Sequence, residues 1–79
     1  MNIKVLGTGC AKCQALEKNT REAIAELGIE ATIDHVRDIN KIMEYPILTT
    51  PGLVIEEKVV CSGKVASKAE VIGFINSFR

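Results

Sequence analysis

Cys10 and Cys13 are separated by two residues, directly after a short apolar run and directly before a long amphipathic stretch. The start of a helix leaves backbone N–H groups unpaired and carries partial positive charge, so a sulfur placed there is easier to hold as thiolate. Thiolate is the species that attacks disulfides and that binds soft metals. The pair therefore predicts either disulfide exchange or metal binding.

The phase of the following helix separates the two sulfurs. Five residues of this stretch are spaced three or four positions apart, so they fall on one face of a helix as a single stripe: Cys13, Leu16, Thr20, Ile24 and Leu27. We therefore expect Cys13 to be buried at the head of this stripe and Cys10 to lie at the exposed cap. This arrangement predicts an exposed attacking thiol and a shielded resolving thiol.

The composition limits the classes of function. The chain of 79 residues has ten Lys plus Arg and ten Asp plus Glu, which leaves no positive field to bind a phosphate backbone and argues against nucleic acid as a partner. No apolar stretch approaches the roughly 20 residues that span a bilayer. We expect one domain over residues 1–79, a monomer.

The cysteine count and the N-terminal residues bear on the compartment. Three cysteines do not fit a disulfide scaffold, which normally has an even and larger number. The N-terminal residues enter a strand-like alternation at once and show no signal-peptide pattern. We expect a reducing, cytoplasmic location for the chain.

The periodicity and the turn residues predict seven elements in the order β-α-β-α-β-β-α. They are strands at about 2–6, 31–35, 53–55 and 58–61, and helices at about 10–27, 38–45 and 68–78. The short second helix has Ile39, Ile42 and Met43 as its expected inner face, and Ser67 with Glu70 predicts a capping box for the last helix. The predicted fold is α/β, a four-stranded mixed sheet flanked by helices on both faces.

Three segments carry a family resemblance that covers almost the whole chain: Gly9-Cys10-Ala11-Lys12-Cys13, Thr49-Thr50-Pro51 and the segment from Val59 to Val65. With these segments the chain resembles the thioredoxin/glutaredoxin superfamily. More narrowly, it resembles the small thioredoxin-like proteins called redox-active disulfide proteins. The resemblance implies a thioredoxin-like fold and a disulfide oxidoreductase activity that needs no cofactor or metal.

The resemblance also implies roles for individual residues. Cys10 would attack a substrate disulfide and Cys13 would resolve the mixed disulfide. A cis Thr50–Pro51 peptide would present the Thr50 backbone to an extended substrate segment, with Gly9 keeping the approach to Cys10 open. Lys12 would add a cation near the thiolate, although a solvated surface lysine is the competing interpretation. The implied partners are disulfide-containing proteins and an unidentified reductase or thiol donor.

The chain departs from the larger families at two of the segments that carry the resemblance. The cysteines enclose Ala-Lys where typical thioredoxins have Gly-Pro. Ser62-Gly63-Lys64 stands where glutaredoxins have the Gly-Gly and acidic residue that bind glutathione, so glutathione is not the expected donor.

A copper-type soft-metal chaperone or sensor is the alternative function, with Cys10 and Cys13 as two thiolate ligands. Heavy-metal-associated domains usually have Met where this chain has Thr8, and they end on a strand, so a terminal helix favours redox chemistry. Zinc would need four ligands, and the other Cys and His residues are Cys61 and His35. We interpret His35 as a partly buried strand residue and Cys61 as a packing residue, with a third redox thiol as the alternative for Cys61.

Overall fold

The computed structural model describes residues 1–9, 11–47 and 49–78. Its helices and strands follow the predicted order along the chain. They are β1 (Asn2–Leu6), α1 (Ala11–Leu27), β2 (Thr32–Val36), α2 (Ile39–Ile42), β3 (Gly52–Ile55), β4 (Lys58–Ser62) and α3 (Lys68–Asn76). Strand β2 begins and ends one residue later than the alternation of its side chains predicts.

The four strands form one mixed sheet in the order β2-β1-β3-β4. Strand β1 is parallel to β2 and antiparallel to β3, and β3 pairs with β4 as an antiparallel hairpin. The parallel pair brings the carboxyl ends of β1 and β2 to one edge, where Leu6 lies opposite Val36 and the Gly7 N–H donates to the Val36 carbonyl over 2.9 Å. The loops after both strands therefore meet at this edge.

Helices cover both faces of the sheet, as predicted. Helices α1 and α3 pack on one face, where the buried core consists of Ile3, Val5, Leu16, Ala23, Leu53, Ile55, Ala66, Val71 and Ile75. Helix α2 lies on the other face, where Leu6, Ile42 and Val54 form a smaller cluster. Successive strand residues point to opposite faces, so one short strand supplies side chains to both clusters.

The predicted inner face of α2 is wrong for two of its three residues. Ile42 is buried, but Ile39 is 56% exposed and Met43 is 73% exposed. Helix α2 ends at Ile42, three residues before the predicted end at Tyr45, and Ile39 and Met43 lie beside Ile42 in the lining of a surface groove instead of in the core. Two large apolar side chains are consequently left on the surface.

The helix ends agree with the sequence signals. Gly28 ends α1 with a φ of 63°, in the left-handed region that glycine tolerates. Ser67 and Glu70 form the predicted capping box at the start of α3. Since the last described element is a helix, the topology favours redox chemistry over the metal-chaperone alternative.

No helix among the described residues is long and apolar enough to cross a bilayer.

Candidate active site

Cys13 lies in the first turn of α1 and is 0% exposed, as the phase of the helix predicts. The end of strand β1 makes room for its sulfur. A Cβ built on Gly7 would overlap Cys13 Sγ and would lie 3.4 Å from Cys13 Cβ and 3.9 Å from Pro51 Cα. The sulfur therefore occupies the space that a side chain at residue 7 would need, and Pro51 borders the same space.

Cys10, the predicted attacking residue, lies outside the described residues. It directly precedes Ala11, the first residue of the 17-residue helix α1, and directly follows Gly9. Lys12 is exposed in the first turn of α1, where no carboxylate of the described residues forms an ion pair with it.

The loop before strand β3 forms the second side of the site. The Thr50–Pro51 peptide bond is cis, Pro51 is buried and Thr50 is exposed. The Gly63 N–H donates to the Pro51 carbonyl over 2.8 Å, which ties the loop to the end of β4. A Cβ on Gly63 would overlap Thr49 Oγ1, so this loop and the end of β4 are in close contact.

Two side chains that the sequence pattern does not indicate, those of Gln14 and Arg37, lie beside Gly9. Its φ is 90°, and the Gln14 side-chain amide donates to its carbonyl over 3.0 Å. The Arg37 guanidinium lies on its open side, because a Cβ built on Gly9 would be 3.3 Å from Arg37 Cζ and 3.5 Å from Nε and Nη1. The parallel pairing of β1 and β2 was the available signal for Arg37, since residues that follow two parallel neighbours reach the same edge.

An apolar groove of about 480 Å³ lies beside the Thr50 loop. Thr49 and Thr50 form one part of its lining, and the other part consists of Ile39, Ile42, Met43 and Ile47. The two exposed α2 side chains are thus part of a concave surface next to Pro51. Such a surface can take up an apolar side chain of a bound segment.

Cys61 lies in strand β4 opposite Leu53 and packs partly buried against the main core. Its surroundings fit the interpretation as a packing residue. Burial raises the pKa of the Cys61 thiol above its ordinary value.

We predict that Cys61 reacts slowly with iodoacetamide at pH 7. The raised pKa leaves less thiolate, and thiolate is the reacting species. The rate should increase as the pH rises through the raised pKa. Mass spectrometry of Cys61-containing peptides, taken over a time course, measures this rate. The same residue in the urea-unfolded chain is the control and should react several-fold faster; equal rates in the two states would contradict the prediction.

Among residues 1–9, 11–47 and 49–78, no three Cys, His, Asp or Glu side chains converge as a metal site requires. His35 is partly buried on β2, with Nδ1 3.0 Å from a carboxylate oxygen of Glu17 on α1. Its position fits the interpretation as a strand residue that packs under the helix.

Comparison with known proteins agrees with this geometry. The family model described as "Thioredoxin domain" matches residues 1–76. A thioredoxin of Methanothermobacter thermautotrophicus is 45% identical over 71 residues, which cover 90% of this chain and 92% of the relative. A thioredoxin of Methanocaldococcus jannaschii is 38% identical over 76 residues, 96% of this chain and 87% of that relative. A mixed sheet with helices on both faces, together with these matches along nearly the whole length, shows that the chain belongs to the thioredoxin family of disulfide oxidoreductases.

Proposed function

We propose that the protein exchanges electrons with disulfides through Cys10 and Cys13. The Cys10 thiolate attacks one sulfur of a substrate disulfide, the substrate S–S bond breaks, and the first substrate thiol leaves with a proton. Cys13, as thiolate, then attacks the Cys10 sulfur of the mixed disulfide and releases the second substrate thiol. Two electrons pass to the substrate, and the Cys10–Cys13 disulfide forms.

The observation that carries this proposal is the position of Cys13. Its sulfur is buried against Gly7 and bordered by Pro51, three residues along the chain from Cys10. A buried thiol in that position is shielded from external disulfides. The burial of Cys13 therefore supports its proposed role as the resolving cysteine, which reacts only after a mixed disulfide has formed on Cys10.

The start of α1 supports Cys10 as the attacking residue. A free thiol with a pKa of about 8.5 is only a few per cent thiolate at neutral pH. The unpaired N–H groups and partial positive charge at a helix start favour the thiolate, and we propose that Lys12, exposed in the same turn, adds to this effect.

The Thr50 loop and the groove beside it support a protein substrate. Thr50 is exposed directly before strand β3, so an extended segment of a partner can lie along its backbone while an apolar side chain enters the groove lined by Ile39 and Met43. We propose disulfide-containing proteins as substrates and a reductase or thiol donor as the source of electrons. The three-cysteine composition supports a reducing, cytoplasmic setting.

A single-turnover experiment tests the function. Reduced protein, freed of reductant, is mixed with an excess of a peptide disulfide, and the reaction is followed by thiol titration and mass spectrometry. We expect each chain to lose two of its three thiols while two substrate thiols appear. The peptide that contains Cys10 and Cys13 should be lighter by the mass of two hydrogen atoms. Persistent substrate adducts on Cys61, or no reaction beyond that of a simple thiol, would contradict the proposal.

A further inference from the structure

Arg37 lies at the rim of the candidate site, although it is distant in sequence from both cysteines. It follows strand β2, and Gly7, Thr8 and Gly9 follow strand β1 at the same edge of the sheet. Its guanidinium lies over the face of Gly9 that lacks a side chain, with Cζ 3.3 Å from the position that a Cβ would take. A side chain at residue 9 would displace this guanidinium, so the glycine and the arginine fit together.

The guanidinium is exposed, and no carboxylate of the described residues forms an ion pair with it. The nearest acidic residue in sequence, Asp38, is engaged elsewhere, because its side chain accepts a hydrogen bond from the Asn40 N–H over 2.9 Å at the N-cap of α2. Arginine stays charged at every physiological pH, and its planar fork matches a carboxylate. Arg37 is therefore a cation available to an external anion.

A bound disulfide brings its flanking residues to this cation. The attacked sulfur must reach Cys10, which follows Gly9 in the chain. The residues on either side of the partner's cysteine lie only about 3.5 Å away per residue along an extended segment. A flanking residue of the partner can therefore bring a side-chain carboxylate toward the guanidinium beside Gly9.

We propose that Arg37 is a specificity-determining residue that binds a carboxylate next to the attacked cysteine of the partner. The inference rests on the proposed function and adds the chemical class of its substrates: disulfides flanked by Asp or Glu are preferred over those flanked by Lys or Arg. Lys12, in the first turn of α1, is the competing cation, but Arg37 differs from it in lying against Gly9.

The proposal is tested with three peptide disulfides that differ in a single residue. The residue directly before the cysteine is Asp in the first peptide, Asn in the second and Lys in the third. The measured quantity is the second-order rate constant of reduction for each peptide at low and at high salt. We expect the wild-type protein to prefer the Asp peptide over the Lys peptide by about fivefold at low salt and by less at high salt, as for an exposed ion pair. Arg37→Gln should reduce this preference to less than about twofold, and Arg37→Lys should restore part of it.

Lys58→Gln is the matched control, since it also removes one positive charge. Lys58 pairs with Ile55 at the turn of the β3–β4 hairpin, whereas the candidate site borders the other end of that hairpin, at Pro51. This variant should keep the wild-type preference. An equal loss of rate on all three peptides in Arg37→Gln would overturn the proposal, because it would show an effect on Cys10 or on the fold. An unchanged preference in Arg37→Gln would overturn it in favour of another cation. If the wild-type protein reduces none of the peptides, the proposed function itself is contradicted.

Discussion

Cys10→Ser should abolish disulfide reduction, whereas Cys13→Ser should react with its substrate once and then remain bonded to it. A serine hydroxyl at residue 10 is not ionised near neutral pH, so the first substitution removes the attacking sulfur. The second leaves the attack intact but removes the thiol that releases the substrate. Activity with a peptide disulfide under limiting dithiothreitol measures the first effect, and non-reducing gels with mass spectrometry detect the trapped species in the second.

Cys61→Ser is the matched control for this pair, since it removes the third thiol, which lies on strand β4 opposite Leu53. It should keep the wild-type rate. Reduction at the wild-type rate by Cys10→Ser would contradict the role of Cys10. A stable adduct in Cys10→Ser but not in Cys13→Ser would show that the two roles are reversed.

Gly7→Ala should lower the rate of disulfide reduction by about 100-fold, as expected when a reacting group is displaced by about 1 Å. The new methyl group would overlap Cys13 Sγ and would lie 3.9 Å from Pro51 Cα, so the sulfur must move to make room for it. Overpacking of this kind also costs about 1–3 kcal/mol of stability. Enzyme assays and urea unfolding curves measure the two effects separately.

Gly73→Ala is a matched control for the same substitution, because a Cβ on Gly73 would meet nothing within 4 Å on helix α3. Alanine in place of glycine inside a helix should stabilise the protein by about 0.5–1 kcal/mol and leave the rate unchanged. A Gly7→Ala protein with wild-type rate and stability would contradict the close contact between residue 7 and Cys13.

The local patterns of the sequence account for the order of the elements and for the burial of Cys13. The capping box at Ser67 and the first part of the stripe on α1 depend on residues within a few positions of one another, so their structure follows from spacing. Further along α1 the buried residue is Ala23, while Ile24 and Leu27 of the predicted stripe are only partly buried. Helix α2 did not follow its pattern at Ile39 and Met43, because apolar spacing does not say how many turns the helix makes before the chain leaves it.

The contacts around Gly7 and Gly9 depend on the way distant segments meet. Arg37 reaches Gly9 through the parallel register of β1 and β2, and Cys13 reaches Gly7 through the packing of α1 on the sheet. A glycine before a Cys-x-x-Cys pair indicates only that the chain turns there. Which side chain fills the space at each glycine becomes evident only when the strands are paired.

A redox titration tests the central claim most directly. The purified protein is equilibrated in buffers with defined ratios of reduced to oxidised dithiothreitol, and is then alkylated and digested. Mass spectrometry then reports the oxidation state of Cys10, Cys13 and Cys61 separately. We predict one reversible two-electron transition in which Cys10 and Cys13 are oxidised together and joined to each other, while Cys61 stays alkylatable throughout. Oxidation of Cys10 and Cys13 at separate potentials, or a disulfide that joins either of them to Cys61, would contradict the account.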